Sequence, residues 1–475
     1  MARFLRRVWS PQYGGRCVCH GGQQSPQRLL SGRARMNGMD LLDVEAAVLG
    51  HRLGGGDSTV EDHTERVLER IRKRDPELNA FSQLNPGALT CARELDATPA
   101  RERKVLPLFG VPVAVKEEIE VAGLVTTLGG RGNTIPAAVD SEVVARLRAA
   151  GAIIIGKTNM PEFGQVPFTE GEWGVTHNSC DPTRSPGGSS GGSAVAVASG
   201  MVPLALGGDA GGSIRIPAAW NGVFGIKPSR GRVSTAPHPN LWHKLGTYGP
   251  LARSVEDLRL AMAVTAPEDP GPGLDGALRV GWSLESCLPG VKPDPQLARA
   301  VARAADRLAE EGHEVTRGSI RWAETPLTFM VQFHLGVLDE VRRLERPERI
   351  EKRSKRIAAM ARMLPPGALR WAERSTTRVE RAMERIFRRI DVLLTPVTPT
   401  LPSPIRRVHR MGYLAGQQIS AKVIAYTSYW NLAGHPALSV PVGISSEGLP
   451  LAVQVIGRRG EDDLVLEVGE RLTRY

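Results

Sequence analysis

Two serines sit in glycine-rich turns 24 residues apart. Ser189 lies in Pro186-Gly187-Gly188-Ser189-Ser190-Gly191-Gly192-Ser193, and Ser213 closes Gly207-Gly208-Asp209-Ala210-Gly211-Gly212-Ser213. Glycine lets the backbone approach a substrate closely and offer free N–H groups to a developing oxyanion. Upstream, Lys116 ends the apolar run Val111-Pro112-Val113-Ala114-Val115, where desolvation favours a neutral amine able to act as a base. A serine hydroxyl is a poor nucleophile until a neighbour takes its proton, and a second serine can pass that proton to a lysine on another strand. Two hydroxyls and one amine therefore point to hydrolysis through a serine ester.

Other chemistries fit parts of this pattern. Gly187-Gly188-Ser189-Ser190-Gly191 matches the nucleophile elbow of an α/β-hydrolase-type esterase, with His238, His243, His313, His334, His409 and His435 downstream. That elbow needs a core strand directly before the serine, and residues 178–186 are too rich in Asp, Pro, Thr, Arg and Ser to form one. A phosphate cradle would show its glycines as G-x-x-x-x-G-K-[ST], which neither serine turn does. A bare Gly/Ser linker would not repeat its theme beside Asp209 and Arg215. Those two residues flank Ser213, and an ion pair that shapes the loop is expected of them, with substrate contact as the alternative. Cys180 as a nitrilase-type nucleophile lacks a glutamate–lysine constellation and reads as an idle thiol.

The serine segment resembles that of the amidase signature family. The resemblance extends through Phe109-Gly110-Val111-Pro112-Val113-Ala114-Val115-Lys116, Gly151-Ala152-Ile153-Ile154-Ile155-Gly156-Lys157-Thr158-Asn159, Asp391-Val392-Leu393-Leu394-Thr395-Pro396 and Trp430-Asn431-Leu432-Ala433-Gly434-His435-Pro436-Ala437. It covers residues 39–475 and implies a single α/β/α domain, a mixed central sheet covered by helices. The activity it implies is hydrolysis of a carboxylic amide to the acid and ammonia or amine through an acyl-enzyme. Ser213 would be the nucleophile, Ser189 a relay on a cis peptide bond, and Lys116 the base. The amides of Ala210, Gly211, Gly212 and Ser213 would form the oxyanion hole, and neither metal nor cofactor would be needed. The family usually has Asp after this lysine, whereas here Glu117-Glu118 follow. On a continuing strand Glu117 would face away and Glu118 would share the lysine's face, favouring its charged form, but the strand is expected to end before Glu118.

The family also includes the A subunit of glutamyl-tRNA amidotransferase, which is the alternative function. Its RNA surface would be sought in residues 342–410, where 19 Lys+Arg stand against 7 Asp+Glu. There the arginines alternate with Glu345, Glu348, Glu373, Glu380 and Glu384, and no aromatics are interleaved as an RNA-binding surface would need. A small amide is therefore the expected partner rather than nucleic acid, and a homodimer is left open. Segments 237–248 and 322–334 are expected to line the acyl pocket, with Trp242, Phe329 and Phe333 suited to an apolar or aromatic group.

The elements that must position these residues alternate between strand and helix. A helix is expected to open at the capping-box spacing Ser58–Glu61 and run to 73, and another to run from an Asp140 or Ser141 cap to 150. Buried strands are expected over 105–116, 152–155, 204–206, 223–226, 278–282, 392–394, 437–442 and 452–456. Small apolar residues predict a buried helix over 193–199, and 295–311 reads as another helix. In the charged stretch 340–390, Val379, Ala382, Met383, Ile386 and Ile390 form one stripe and Arg378, Arg381, Arg385 and Arg388 another. A Pro/Gly-rich connection is expected over 267–275.

The 475-residue chain is 41% hydrophobic and 23% charged, ordinary globular values, and no apolar run reaches the roughly 18 residues of a membrane span. Five scattered cysteines, of which only Cys17 and Cys19 are close, read as reduced thiols, and a cytoplasmic enzyme is expected. The net charge of +11 resides in 342–410, at +12, and in 1–38, at +7 with seven arginines and no acid, so the rest carries −8. An acid-free arginine-rich start makes mitochondrial targeting the alternative. With no periodic apolar face, residues 1–38 read as a disordered extension or a mis-assigned start ahead of Met39. Ordering them would cost about 1–2 kcal/mol per residue with little burial to offset it. A chain beginning at Met39 is thus expected to keep its melting temperature and amide hydrolysis; loss of either would show that the segment docks.

Overall fold

Runs of buried aliphatic residues alternate with amphipathic helices along the chain, and this alternation builds the α/β layering. The structure is a computed structural model that describes residues 40–266, 276–320, 322 and 326–473. The N-terminal segment with Cys17 and Cys19, and the connection at 267–275, lie outside the described residues. The strands are β1 (Phe81–Leu84), β2 (Pro112–Lys116), β3 (Ile153–Thr158), the short hairpin β4 (Glu170–Gly171) and β5 (Gly174–Val175), and β6 (Leu204–Asp209). They continue with β7 (Phe224–Lys227), β8 (Thr247–Ala252), β9 (Arg279–Trp282), β10 (Glu314–Arg317), β11 (Val392–Pro396), β12 (Ala437–Ile444) and β13 (Pro450–Gly457). All except the hairpin join one 11-stranded sheet in the order β1-β3-β2-β6-β8-β7-β12-β13-β11-β9-β10.

The sheet is mixed and flanked by helices. β3, β2 and β6 run parallel, as do β11, β9 and β10, while the pairs between β6 and β11 and the β1–β3 edge are antiparallel. Central parallel strands are covered on both faces, which is why Val113, Ala114, Val115 and Ile153 through Ile155 read as unbroken apolar runs and are fully buried. The helix Gly191–Ala198 packs against β2, β3, β6 and β8, and its small residues let the serine segment lie close to the sheet. Asp294 caps Pro295–Glu310 by accepting from the Gln296 amide at 2.8 Å, and Leu297, Ala300, Val301, Ala304 and Leu308 turn inward.

Several boundaries differ from the sequence expectation for local reasons. The first long helix is Val60–Leu78; Thr59, not Ser58, caps it through the Asp62 amide at 3.0 Å, and Pro76 inside its last turns does not end it. The segment before β2 is turns, so the strand begins at Pro112 and not at 105. Ser141 stands at the N-cap of Glu142–Ala149 without a side-chain cap bond, because its hydroxyl donates to the Glu120 carbonyl instead. In the charged region the helices are Lys352–Arg362 and Ala368–Phe387, with Val379 and Met383 buried and Arg378, Arg381, Arg385 and Arg388 exposed, as the two stripes require. No helix among the described residues is long and apolar enough to cross a membrane.

Because β2 and β6 are parallel neighbours, with Val113 to Val115 opposite Leu204 to Leu206, their carboxyl ends share one edge of the sheet. Lys116 is the last residue of β2 and Asp209 the last of β6. Side chains from separate stretches of sequence converge there, as is general at the carboxyl edge of α/β sheets.

Candidate active site

Three devices hold the serine segment against this edge. Thr169 Oγ1 donates to the Gly187 carbonyl at 2.8 Å and accepts from the Gly191 amide at 3.0 Å. Ser190 Oγ donates to the Gly208 carbonyl at 3.1 Å, while the Ser190 amide donates to the Ser213 carbonyl at 3.0 Å. Ser193 Oγ reaches the Leu206 carbonyl at 2.9 Å and the Thr158 hydroxyl at 2.7 Å. The Gly188–Ser189 peptide between these anchors is cis. Ser189 is thereby presented to Lys116, whose Nζ lies 2.8 Å from Ser189 Oγ and 3.0 Å from the Gly208 carbonyl. Lys116 and Ser189 are only 1% and 2% exposed, so bulk water does not compete for this hydrogen bond.

Lys116, Ser189 and Ser213 line one small cavity of about 10 Å³, together with Glu118, Gly164 and Phe333. The structure thus brings together the three residues singled out in the sequence from positions 73 and 24 apart. Ser213 and Ala210 also line a larger cavity of about 190 Å³ that opens from this point.

The Ser213 loop is shaped by a buried ion pair. Arg215 donates from Nε and Nη2 to the two oxygens of Asp209, both at 2.9 Å, and neither side chain is exposed. Asp209 in turn accepts from the Gly212 amide at 2.6 Å, the Ile214 amide at 3.1 Å and Asn431 Nδ2 at 2.9 Å. Burial would raise the Asp209 carboxyl, but the charge and hydrogen bonds of Arg215, with those of Asn431, outweigh it and hold the group well below the usual carboxylate range. Arg215 goes on to the Thr427 carbonyl at 3.0 Å, Gln454 Oε1 at 2.7 Å and Asn431 Oδ1 at 2.6 Å. Gly212, at φ +124°, is required as glycine, since a Cβ there would overlap the Thr427 hydroxyl. The loop-shaping role expected of Asp209 and Arg215 is what the structure shows.

One expectation is corrected here. The Gly212 amide is spent on Asp209, because a buried carboxylate needs every nearby donor, and it leaves the oxyanion set. The amides of Ala210, Gly211 and Ser213 donate to no described residue.

The remaining sequence candidates sort by place. Phe329 and Phe333 line the large cavity, but Trp242 does not; it stacks on Phe333 at 5.2 Å and walls the small cavity instead. Trp322 packs edge-on against Tyr429 at 4.7 Å. His334 is the one histidine among the described residues that lines either cavity, and its ring faces the Tyr413 hydroxyl at 3.1 Å with no carboxylate beside it, so the elbow reading finds no Ser–His–Asp set. Burial pulls His334 down to about 4. His435 is buried and stacked on Phe387 at 4.7 Å, and Cys180 is exposed and lines neither cavity.

A family model described as Amidase matches residues 62–466. The chain belongs to the amidase signature family. A relative from Mycobacterium tuberculosis that bears the name amidase AmiB2 is 37% identical over 453 residues, covering 92% of this chain and 97% of its own length. The glutamyl-tRNA(Gln) amidotransferase of Chloroflexus aurantiacus supplies another relative, its A subunit, 35% identical over 479 residues and covering 89% of this chain and 95% of its own length. Among solved structures, a 6-aminohexanoate cyclic dimer hydrolase with its substrate is similar at TM-score 0.83 and 29% identity over 91% of this chain and 97% of that one. A bacterial aryl acylamidase follows at 0.79 and 26%, over 91% and 96%. As a member of this family the chain is an amide-hydrolysing enzyme.

Sequence reasoning missed Asn431, Thr427 and Gln454 as the partners of the Asp209–Arg215 pair. Asn431 lies in a motif that the sequence displays, but nothing local assigns its amide a partner 222 residues away. Replacing Arg215 by Met leaves Asp209 charged, buried and unpaired, and is expected to cost about 3–5 kcal/mol of stability in denaturant melts. The depressed Asp209 value also means that its contribution is present above the ordinary carboxylate range and lost as pH falls below it. Wild-type stability for Arg215→Met would refute this role.

Proposed function

We propose that Ser213 attacks the amide carbonyl, Ser189 takes its proton and passes its own to Lys116, and the amides of Ala210, Gly211 and Ser213 hold the oxyanion. The observation that carries this reading is the buried 2.8 Å hydrogen bond from Lys116 Nζ to Ser189 Oγ in the cavity that Ser213 shares. Collapse of the tetrahedral intermediate breaks the C–N bond. The proton returns through Ser189 to the departing nitrogen, leaving an ester on Ser213. Water then attacks that ester, with the same residues taking its proton, and releases the acid. The three amides belong to a loop already locked by Asp209 and Arg215, so they need no reorganisation as negative charge develops.

The acyl group is assigned to the large cavity. Phe329, Phe333, Met330, Val166 and Ile424 make its walls apolar, and no charged side chain lines it among the described residues. An engineered cavity of roughly 150 Å³ holds benzene, so about 190 Å³ suits a phenyl or hexanoyl-sized group. Its polar residues are uncharged: His334 stays neutral at pH 7 because burial lowers it, and Gln165 and Gln417 carry no charge. The substrate class is a neutral amide with an apolar acyl group.

Ser213→Ala is expected to abolish fluorophosphonate labelling while keeping the melting temperature, and Lys116→Ala to reduce amide turnover by about 10²–10⁴-fold. Labelling that survived Ser213→Ala and vanished in Ser189→Ala would give the nucleophile to Ser189.

Specificity has its own test. An ammonium left unpaired in this cavity costs about 3 kcal/mol or more, roughly a hundredfold. The kcat/KM for hexanamide is thus expected to exceed that for 6-aminohexanamide by about that factor. Equal values would refute the assignment of the acyl group to this cavity.

A further inference from the structure

Lys116 Nζ has three polar neighbours: Ser189 Oγ at 2.8 Å, the Gly208 carbonyl at 3.0 Å and Glu118 Oε1 at 3.0 Å. A carbonyl and a carboxylate can only accept, whereas a serine hydroxyl can also donate. A neutral amine carries two N–H bonds and one lone pair. When the Gly208 carbonyl and Glu118 each take one N–H, the lone pair is left facing the Ser189 hydroxyl. After proton transfer the ammonium donates to all three.

The chain is arranged to bring Glu118 there. A turn closed by the Ile119 amide on the Lys116 carbonyl at 3.0 Å ends β2 and folds Glu118 back onto the lysine. Its neighbour Glu117 goes elsewhere, accepting from the Thr127 amide at 3.0 Å and hydroxyl at 2.8 Å. On β6, position 208 is glycine, and a Cβ there would overlap Glu118 Oε1. The carboxylate is only 7% exposed.

We infer that Glu118 is a positioning residue for the base, orienting the Lys116 lone pair at Ser189 and setting, through its charge, the pH at which the enzyme becomes active. This rests on Lys116 acting as the base. The other groups around the lysine are committed to partners or lie beyond Glu118. Asp209 is held by Arg215, and the Tyr248 phenol on β8 is buried and kept protonated, first by burial and then by Glu118. Glu120 is paired with His238 at 2.7 Å and Glu340 with Arg343 at 3.1 Å, across a second cavity of about 190 Å³ that Glu118 also lines. Lys157 on β3 donates to the Thr126 hydroxyl at 2.8 Å. Glu118 is the carboxylate within hydrogen-bond reach of the amine.

The test is the rate of Ser213 labelling by a fluorophosphonate, with hexanamide kcat and KM, between about pH 5 and 10 for the full chain and two variants. Glu118→Gln keeps an acceptor and loses the charge, so its acid limb is expected to move to lower pH by about one to three pH units with the plateau held within about threefold. Glu118→Leu loses the acceptor too, and its plateau kcat is expected to fall about tenfold with KM unchanged. A Glu118→Gln limb superimposed on that of the wild type, or a full plateau in Glu118→Leu, would overturn the inference; if the Leu variant does not fold, the Gln limb decides. A wild-type chain that takes no label overturns the serine mechanism and this role together, whereas labelling with an unmoved limb overturns the role of Glu118 alone.

Discussion

The buried pair between Asp209 and Arg215 is the contact on which the geometry of the site depends. Each oxygen of the carboxylate meets one guanidinium nitrogen, and the remaining donors and acceptors are taken up by Gly212, Ile214, Asn431, Thr427 and Gln454. In this way the end of β6, the Ser213 loop, the helix Arg215–Asn221, the helix Ser428–Ala433 and β13 are joined at one point. A buried ion pair adds little net stability over a well-packed apolar substitute. Its contribution here is directional, because a bidentate pair admits only one loop conformation.

Charge is distributed unevenly around that point. On one side, behind Lys116, stand Glu118, Glu120 and Glu340, paired with Lys116, His238 and Arg343. On the other, the large cavity has aromatic and aliphatic walls with neutral polar residues among them. Trp242 and Phe333, stacked at 5.2 Å, form part of the partition between the two. The carboxylates near the amine are thus kept apart from the apolar walls of the large cavity. The buried Lys227, pulled down to about 7 by burial and then by Arg215, belongs to neither; it donates to the Pro228 carbonyl at 2.8 Å.

Much of the fold was legible because buried strands and amphipathic helices each leave a local period. Val379 and Met383 on one face and Arg378, Arg381, Arg385 and Arg388 on the other behave as their spacing requires. Boundaries were less legible, since they turn on single hydrogen bonds. Thr59 rather than Ser58 caps its helix, and the Ser141 hydroxyl bonds a carbonyl across a loop instead of its own helix. The aromatic residues were also mixed: Trp242, Phe329 and Phe333 share a composition signal, yet a left-handed turn at Trp242, φ +53°, directs that side chain to a different wall.

Residue type and local spacing alone singled out two serines in glycine-rich turns and a lysine ending a strand, and the structure brings all three to one small cavity. Glycine, serine and lysine carry that information in their own chemistry. The same sequence also showed two carboxylates after the lysine, and a turn of four residues decided that Glu118 and not Glu117 meets the amine. Likewise, the commitment of the Gly212 amide to Asp209 and the arrival of Asn431 across 222 residues follow from how β6 and the helix Ser428–Ala433 pack. Distances of about 3 Å between groups far apart in the chain are set by strand register and helix packing, and no local pattern encodes them.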